Sequence, residues 1–459
     1  MEPLSTTDQP VSLFDRINHW IRTSTMLKIA VIGVLILVLL IPTEMLQALI
    51  RERESTRNEA LAEVSAKWGG EEVLGGPVLS VPYEEITKDD KGNEQRQTFF
   101  AHFLPDDLHI NGKVQPEQRN RGIFVVMLYN TRLTIRGRFH KPSAASLGIS
   151  PAALQWDKAF LSLGISDMKG IKDAITFRVN SQPISAESGI PSNDLLPSGV
   201  SASVPINAAT ETLQFESVIN LNGSTQLSFL PFGKETRVTL QSPWSTPSFT
   251  GSFLPDQRSI HDKGFQASWK VLQFNRNFPQ QGIGNFLAKS ITGNEEIPSF
   301  GVKLLLPVDE YQKTMRSAKY GILFVILTFV SFFFVEILDR RRIHPIQYLL
   351  VGFAVCLFYL LLLSISEHLS FDGAYLIGSA IILALITFYV RYVFQNLRLT
   401  ALFSVILALL YGFFYSLLQL EDYSLLLGSF GLLLILGVIM YLTRNVNWYK
   451  VYEAEGLTP

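Results

Sequence analysis

The stretch HPIQYLLVGFAVCLFYLLLLSISEH, residues 344–368, decides the fold class. From Ile346 to Ser366 it carries no charge. About 20 apolar residues, rising 1.5 Å each, cross a hydrocarbon core of roughly 30 Å, so this segment reads as a membrane-spanning helix. Four similar runs surround it, at about 318–338, 373–390, 399–418 and 423–442. Their connections are short enough to require antiparallel neighbours, which predicts a five-helix bundle over 318–442.

Composition agrees with a chain of two characters. Charged residues make up 17% of the whole, against roughly 25% in an average soluble protein. Only twelve of them fall between 318 and 442, so the remainder is ordinarily polar. A net charge of −1 argues against a nucleic-acid binder, which carries a basic excess. The apolar share of 47% excludes disorder.

A further apolar run, 29–41, follows Lys28. A cleaved signal peptide also has a short apolar core, typically about 7–15 residues. Here the run is followed by Pro42-Thr43-Glu44-Met45, which offers no small-x-small cleavage site, and the apolar pattern resumes at Met45, Leu46, Leu49 and Ile50. An uncleaved anchor over 29–50 is therefore expected. The Glu/Arg/Ala-rich stretch 51–66 extends it as a helix, stopped by Gly69-Gly70.

Lys and Arg in short loops set membrane orientation. Arg340, Arg341 and Arg342 lie between the first two C-terminal spans, Arg391 and Arg398 between the third and fourth, Arg444 and Lys450 after the last. The alternate loops, 367–372 and 419–422, contain no Lys or Arg. This pattern places the basic loops and both termini in the cytoplasm. Residues 1–28 become a cytoplasmic extension, 51–317 an external domain and 443–459 a cytoplasmic tail.

The external segment reads as strands. Runs at 99–104, 123–129, 133–139, 212–221, 225–230, 237–240 and 265–272 are rich in β-branched and aromatic residues. Asn111-Gly112, Asn222-Gly223 and Pro255-Asp256 punctuate them as turns. About ten strands are expected, as a β-sandwich or two β-subdomains, with 181–204 as a long loop or boundary. The fold class is thus an α+β membrane protein: an anchor helix, a large mostly-β domain and a C-terminal helical bundle. The lone cysteine, Cys356, sits mid-span and reads as a small apolar residue, so the external domain must fold without a disulfide.

These residues resemble the CreD inner-membrane proteins of Gram-negative bacteria. The likeness runs through Gly75-Gly76-Pro77-Val78, Ser242-Pro243-Trp244 and Gly264-Phe265-Gln266-Ala267-Ser268-Trp269. It is most specific at Pro307-Val308-Asp309-Glu310-Tyr311, Lys319-Tyr320-Gly321, Glu336, His344-Pro345-Ile346-Gln347-Tyr348 and Ser364-Ile365-Ser366-Glu367-His368. The resemblance implies a bacterial inner-membrane protein with a role in cell-envelope integrity or stress, without a known catalytic activity. The external domain then becomes periplasmic. The partners expected are membrane lipids and envelope proteins or peptidoglycan-related factors.

Catalytic and metal patterns are weak. The seven histidines form no HExxH or HxH pair and there is no Cys cluster, so no metal and no cofactor are expected. Ser166-Asp167-Met168-Lys169 matches S-x-x-K, but its companion motifs S-D-N and K-T-G are absent. The stretch 284–290 resembles a phosphate loop loosely, with Ala288 where glycine belongs.

Charges at the membrane boundary are more informative, because burying them in hydrocarbon is costly. Glu336, Glu367, His368 and Asp372 are the candidate functional residues. Glu336 either joins Asp339 and the arginines at the headgroups or serves a function. Glu367, His368 and Asp372 are either exposed turn residues or a patch that couples the external domain to the bundle or contacts a lipid or peptide, and a His368 paired to either carboxylate would respond to pH. A structural or interaction protein of the envelope is the expected class. A transporter would want charges or broken helices at mid-membrane, and a membrane-embedded enzyme acting on a lipid or cell-wall precursor would rest on Glu367 and His368 alone.

Overall fold

The computed structural model describes residues 25–88, 94–140, 147–150, 152–206, 210–290, 297–304, 310–339, 343–420 and 423–444. The N-terminal extension through residue 24, the basic triplet 340–342, the acidic pair 421–422 and the tail beyond 444 lie outside them. The chain sorts into two units, one of Met1–Thr56 with Asp309–Pro459 and one of Arg57–Val308.

The N-terminal apolar run and the Glu/Arg-rich stretch after it form one helix, α1 (Thr25–Trp68), about 66 Å long at 1.5 Å per residue. Pro42 lies inside it and breaks the backbone ladder. The neighbouring Thr43 hydroxyl donates to the Leu39 and Leu40 carbonyls at 3.0 and 2.8 Å. Gly69, with φ of +143°, ends the helix.

In the first unit follow α2 (Glu310–Lys319), α3 (Gly321–Asp339), α4 (Pro345–Ser366), α5 (Phe371–Phe394), α6 (Leu397–Gln419) and α7 (Ser424–Thr443). Among the described residues five helices are long and apolar enough to cross a membrane, six if the bent pair α2–α3 is one span. The bend falls at the start of the span expected over 318–338, whose body is the single helix α3. The helix axis turns 44° between Lys319 and Gly321, because Tyr320-Gly321 interrupts it and α2 is amphipathic. Its Tyr311, Thr314, Ser317 and Ala318 are buried at helical spacing while Arg316 and Lys319 are exposed.

Aromatic rings knit the bundle. Phe324 packs on Tyr411 with centroids 4.6 Å apart, and Phe358 on Tyr375 and Tyr411 at 5.2 and 5.0 Å. Toward the other end Phe332 meets Tyr348, Phe394 and Phe403. The anchor helix joins through Leu39, Thr43, Leu46 and Ile50, buried at spacings of four and three. A Cβ on Gly352 would stand 2.3 Å from Leu39 Cδ1 and 2.8 Å from Phe329 Cζ. Gly352→Leu is therefore expected to lose about 1–3 kcal/mol by overpacking, read as a lower unfolding temperature of the detergent-solubilised chain. An unchanged melt would mean that α1 does not rely on this contact.

The second unit holds β1 (Glu72–Lys88), β2 (Glu94–Phe103), β3 (Asp107–Arg121), β4 (Phe124–His140), β5 (Phe160–Ile165), β6 (Thr176–Val179), β7 (Gln182–Ser185), β8 (Glu187–Ser188) and β9 (Gly199–Ser203). It continues with β10 (Thr212–Ser224), β11 (Gln226–Phe229), β12 (Glu235–Ser242), β13 (Pro247–Gly251), β14 (Gln257–His261), β15 (Gly264–Leu272), β16 (Gln281–Ile283) and β17 (Phe300–Leu304). One sheet runs β13-β17-β11-β1-β5-β9-β8, with β2 paired to β1 and β16 paired to β2. The other runs β14-β15-β12-β3-β4-β10-β6-β7.

The inner faces share one core, in which Leu79, Val81, Leu161 and Phe300 of the first sheet meet Ile110, Leu133, Leu240 and Trp269 of the second. Period-2 alternation makes this possible: along β4, Leu133 and Ile135 are buried while Arg132 and Arg136 are exposed. At Gly137 a Cβ would lie 2.2 Å from the Asp107 carbonyl and 2.5 Å from the Phe215 ring. The sequence reading of about ten strands is corrected to seventeen among the described residues. The stretch read as a loop, 181–204, contains β7, β8 and β9, short Ser/Gly-rich strands held by pairing rather than by an apolar run of their own.

Candidate functional site

Glu336 and its partners form an enclosed charged cluster among the described residues of the helical unit. The residue lies in the last turns of α3 and is 5% exposed. Its Oε1 accepts from the Lys28 ammonium of α1 and from the Ile343 backbone N–H at 3.1 Å. Its Oε2 accepts from the Tyr348 hydroxyl of α4 at 2.8 Å. His344 caps α4 alongside, its Nδ1 accepting from the Ile346 N–H at 3.3 Å. Three helices thus converge on one carboxylate, and both of its oxygens are satisfied. Chemically this is a lock: a buried charge paired and hydrogen-bonded on every side.

The other three candidates sit at the opposite ends of these helices and are not brought into one cluster. Glu367 caps α4 and accepts from the Tyr311 hydroxyl at 3.2 Å, with Arg53 Nε of α1 at 3.9 Å. Asp372, in the first turn of α5, accepts from the Gln419 side chain of α6. His368 is exposed and pairs with neither carboxylate among the described residues, so the paired-histidine version of the pH response is not what the structure holds.

The β unit buries two further polar groups. His102 on β2, 2% exposed, stands between Ser80 and Asp194. The Ser80 hydroxyl donates to its Nδ1 at 2.8 Å, and its Nε2–H donates to Asp194 Oδ2 at 3.0 Å. Burial holds its pKa below the usual histidine range, which matches a neutral ring with one accepting and one donating nitrogen. The residue types are those of a hydrolase triad. However, Ser80 is itself 2% exposed, so its hydroxyl is not presented to a substrate, and the chain of bonds reaches the surface at Asp194 instead.

Glu72, at the start of β1, is fully buried. Its Oε2 accepts from the Ser166 hydroxyl at 2.9 Å and the Asp167 N–H at 3.3 Å, while Oε1 has no partner. Burial pushes its carboxyl up to about 7, only partly offset by the Ser166 bond. Tyr129, buried beside it, has its phenol pKa raised by the same desolvation. A signal for Glu72 existed in the sequence: it shares the strand phase of Leu74 and must point inward with it.

The weaker motifs resolve structurally. Lys169 of the S-x-x-K pattern turns away from Ser166 and donates to the Ala66 carbonyl at 3.2 Å. In the loose phosphate-loop stretch, Phe286 and Leu287 are buried in an apolar cluster with Phe232 and Phe278. Cys356 is buried and free. Among the described residues no three His, Cys, Asp or Glu side chains converge as metal ligands.

The architecture and the buried lock define a multi-pass membrane protein with a large β unit inserted after its first helix. The chain belongs to the CreD family: the family model described as "Inner membrane protein CreD" matches residues 24–449. It is similar to the inner membrane protein CreD of Escherichia coli (strain K12), 34% identical over 420 residues that cover 90% of this chain and 91% of that one. Among solved structures it has a slight likeness to an M1 zinc metallopeptidase from Deinococcus radiodurans, 10% identical over 44% of this chain and 42% of that one. The TM-score of 0.20 is too low for that likeness to carry any argument.

Proposed function

We propose that this chain is a non-enzymatic envelope protein of the inner membrane, with both termini in the cytoplasm and the β unit in the periplasm. There it contributes to envelope integrity or to the envelope stress response by contact with envelope proteins or peptidoglycan-related factors. The observation that carries the reading is the charge asymmetry of the helix ends. Arg391 and Arg398 flank the α5–α6 connection, while Glu367 and Asp372 flank the α4–α5 connection, without a basic residue between them. The enclosure of Ser80 and His102 supports a role without hydrolysis.

Complementation tests this reading. In cells lacking the protein, the full chain should restore resistance to an envelope-disrupting detergent, and so should Ser80→Ala expressed at the same level. If Ser80→Ala is folded and abundant yet fails to restore resistance, the non-enzymatic reading is wrong. The edge residues offer a second check. Glu367→Ala with His368→Ala should leave abundance normal and remove resistance if they couple the β unit to the bundle. Undiminished resistance would leave them as turn residues.

A further inference from the structure

The outer face of the eight-stranded sheet divides into two halves of different charge chemistry. In one half the cations are neutralised by neighbours on the same face. Arg136 pairs with Glu216 at 2.7 Å, Arg178 reaches the same carboxylate at 3.9 Å, and Arg237 and Lys270 share Glu235. In the other half, Lys113 and Arg132 face each other across β3 and β4, and Lys263 stands at the β14–β15 hairpin. None of these three has a carboxylate partner among the described residues, and all are exposed. Asp262, beside Lys263 in the hairpin, pairs with none of them.

The strand register lines this second half with hydrogen-bonding groups. One row across five strands reads Arg132, Lys113, Gln241, Gln266, Ser259. The next reads Thr134, Asn111, Thr239, Ser268, Gln257. Neither row contains an acid. Two adjoining depressions, about 430 and 510 Å³, lie over these rows and share Lys113 and Gln241.

The composition selects the ligand class. A protein partner would be expected to find apolar or aromatic anchors, but Phe265, the one aromatic ring lining either depression apart from His261, is 4% exposed. A single-stranded nucleic acid would want exposed rings on which to stack its bases. What the face offers is amide and hydroxyl groups in parallel rows with unneutralised cations among them, bordered on β10 by Asn220 and by Val218, which is 38% exposed. Amides and hydroxyls both donate and accept, which suits sugar hydroxyls, and the cations suit carboxylate or phosphate. We infer that this half of the sheet is a binding face for an acidic glycan, a hydroxyl-rich chain carrying anionic groups, with Lys113 and Arg132 taking the charge and Gln241 and Gln266 the hydroxyls.

The test uses the full chain in zwitterionic-lipid nanodiscs and measures binding of oligogalacturonate, a carboxylated glycan, by calorimetry at low salt. Saturable binding is expected, weakened at least about tenfold by Lys113→Ala with Arg132→Ala and weakened by added salt. Arg136→Ala, whose charge Glu216 already holds, should leave it unchanged. Neutral dextran oligomers should bind far more weakly, and so should polyglutamate, which has the charge without the hydroxyls. No saturable binding, equal binding of polyglutamate, preferential binding to anionic-lipid vesicles, or a double variant that binds like the parent would each overturn the inference. The measurement does not depend on which side of the membrane the β unit faces, so it stands or falls separately from the proposed topology.

Discussion

Glu72→Gln is expected to stabilise the β unit strongly at pH 8 and hardly at all at pH 4. The folded carboxyl has its pKa raised from 4.5 to about 7, so the folded state holds a proton that the unfolded chain releases. For an acid shifted upward, this contribution is fully present below 4.5, is lost as pH rises toward 7, and stays lost above that. The shift corresponds to about 3 kcal/mol withheld from the native state at pH 8. Gln keeps an acceptor for the Ser166 hydroxyl and the Asp167 N–H without a charge to desolvate. At roughly 2–4 °C per kcal/mol for a domain of this size, the variant should melt about 6–12 °C above the parent at pH 8. Equal shifts at both pH values would show that the titration of Glu72 is not the cause, and a lower melting temperature at pH 8 would show that Glu72 is ionised and useful in place.

The second large effect is expected at Glu336. Glu336→Ala leaves the Tyr348 hydroxyl and the Ile343 N–H without their acceptor and Lys28 without its counter-charge. Removing one partner of a buried pair typically costs about 3–5 kcal/mol, so the helical unit should unfold at markedly lower temperature. Lys28→Ala should cost less, because Lys28 is 30% exposed and the other two bonds to Glu336 survive. A double-mutant cycle should give a coupling of about 1–3 kcal/mol. Additive losses would mean that the anchor helix is held by apolar contact alone.

These two carboxylates show what the sequence can and cannot carry. The spans of the bundle announce themselves because each is a run of about 20 apolar residues, and β4 does so because Leu133 and Ile135 alternate with Arg132 and Arg136. The bend at Tyr320-Gly321 was hidden, since the change from polar α2 to apolar α3 marks where a span begins and not the angle at which the two helices meet. The edge strands β7 and β8 were hidden because pairing, not composition, makes them strands. Glu336 was visible as a charge at a span's end, but its partner Lys28 lies 308 residues away, and no local pattern encodes that pairing. His102 lies in no motif of local spacing. Its links to Ser80 and Asp194 depend on the β1–β2 register and on a loop that only folding brings near.

The measurement that bears most directly on the account is a set of alkaline phosphatase fusions, since the enzyme is active only after export. The proposed arrangement predicts an active fusion at Ser181, within the β unit, and inactive fusions at Arg341 and Asn447. Activity at Arg341, or silence at Ser181 with stable protein, would contradict it.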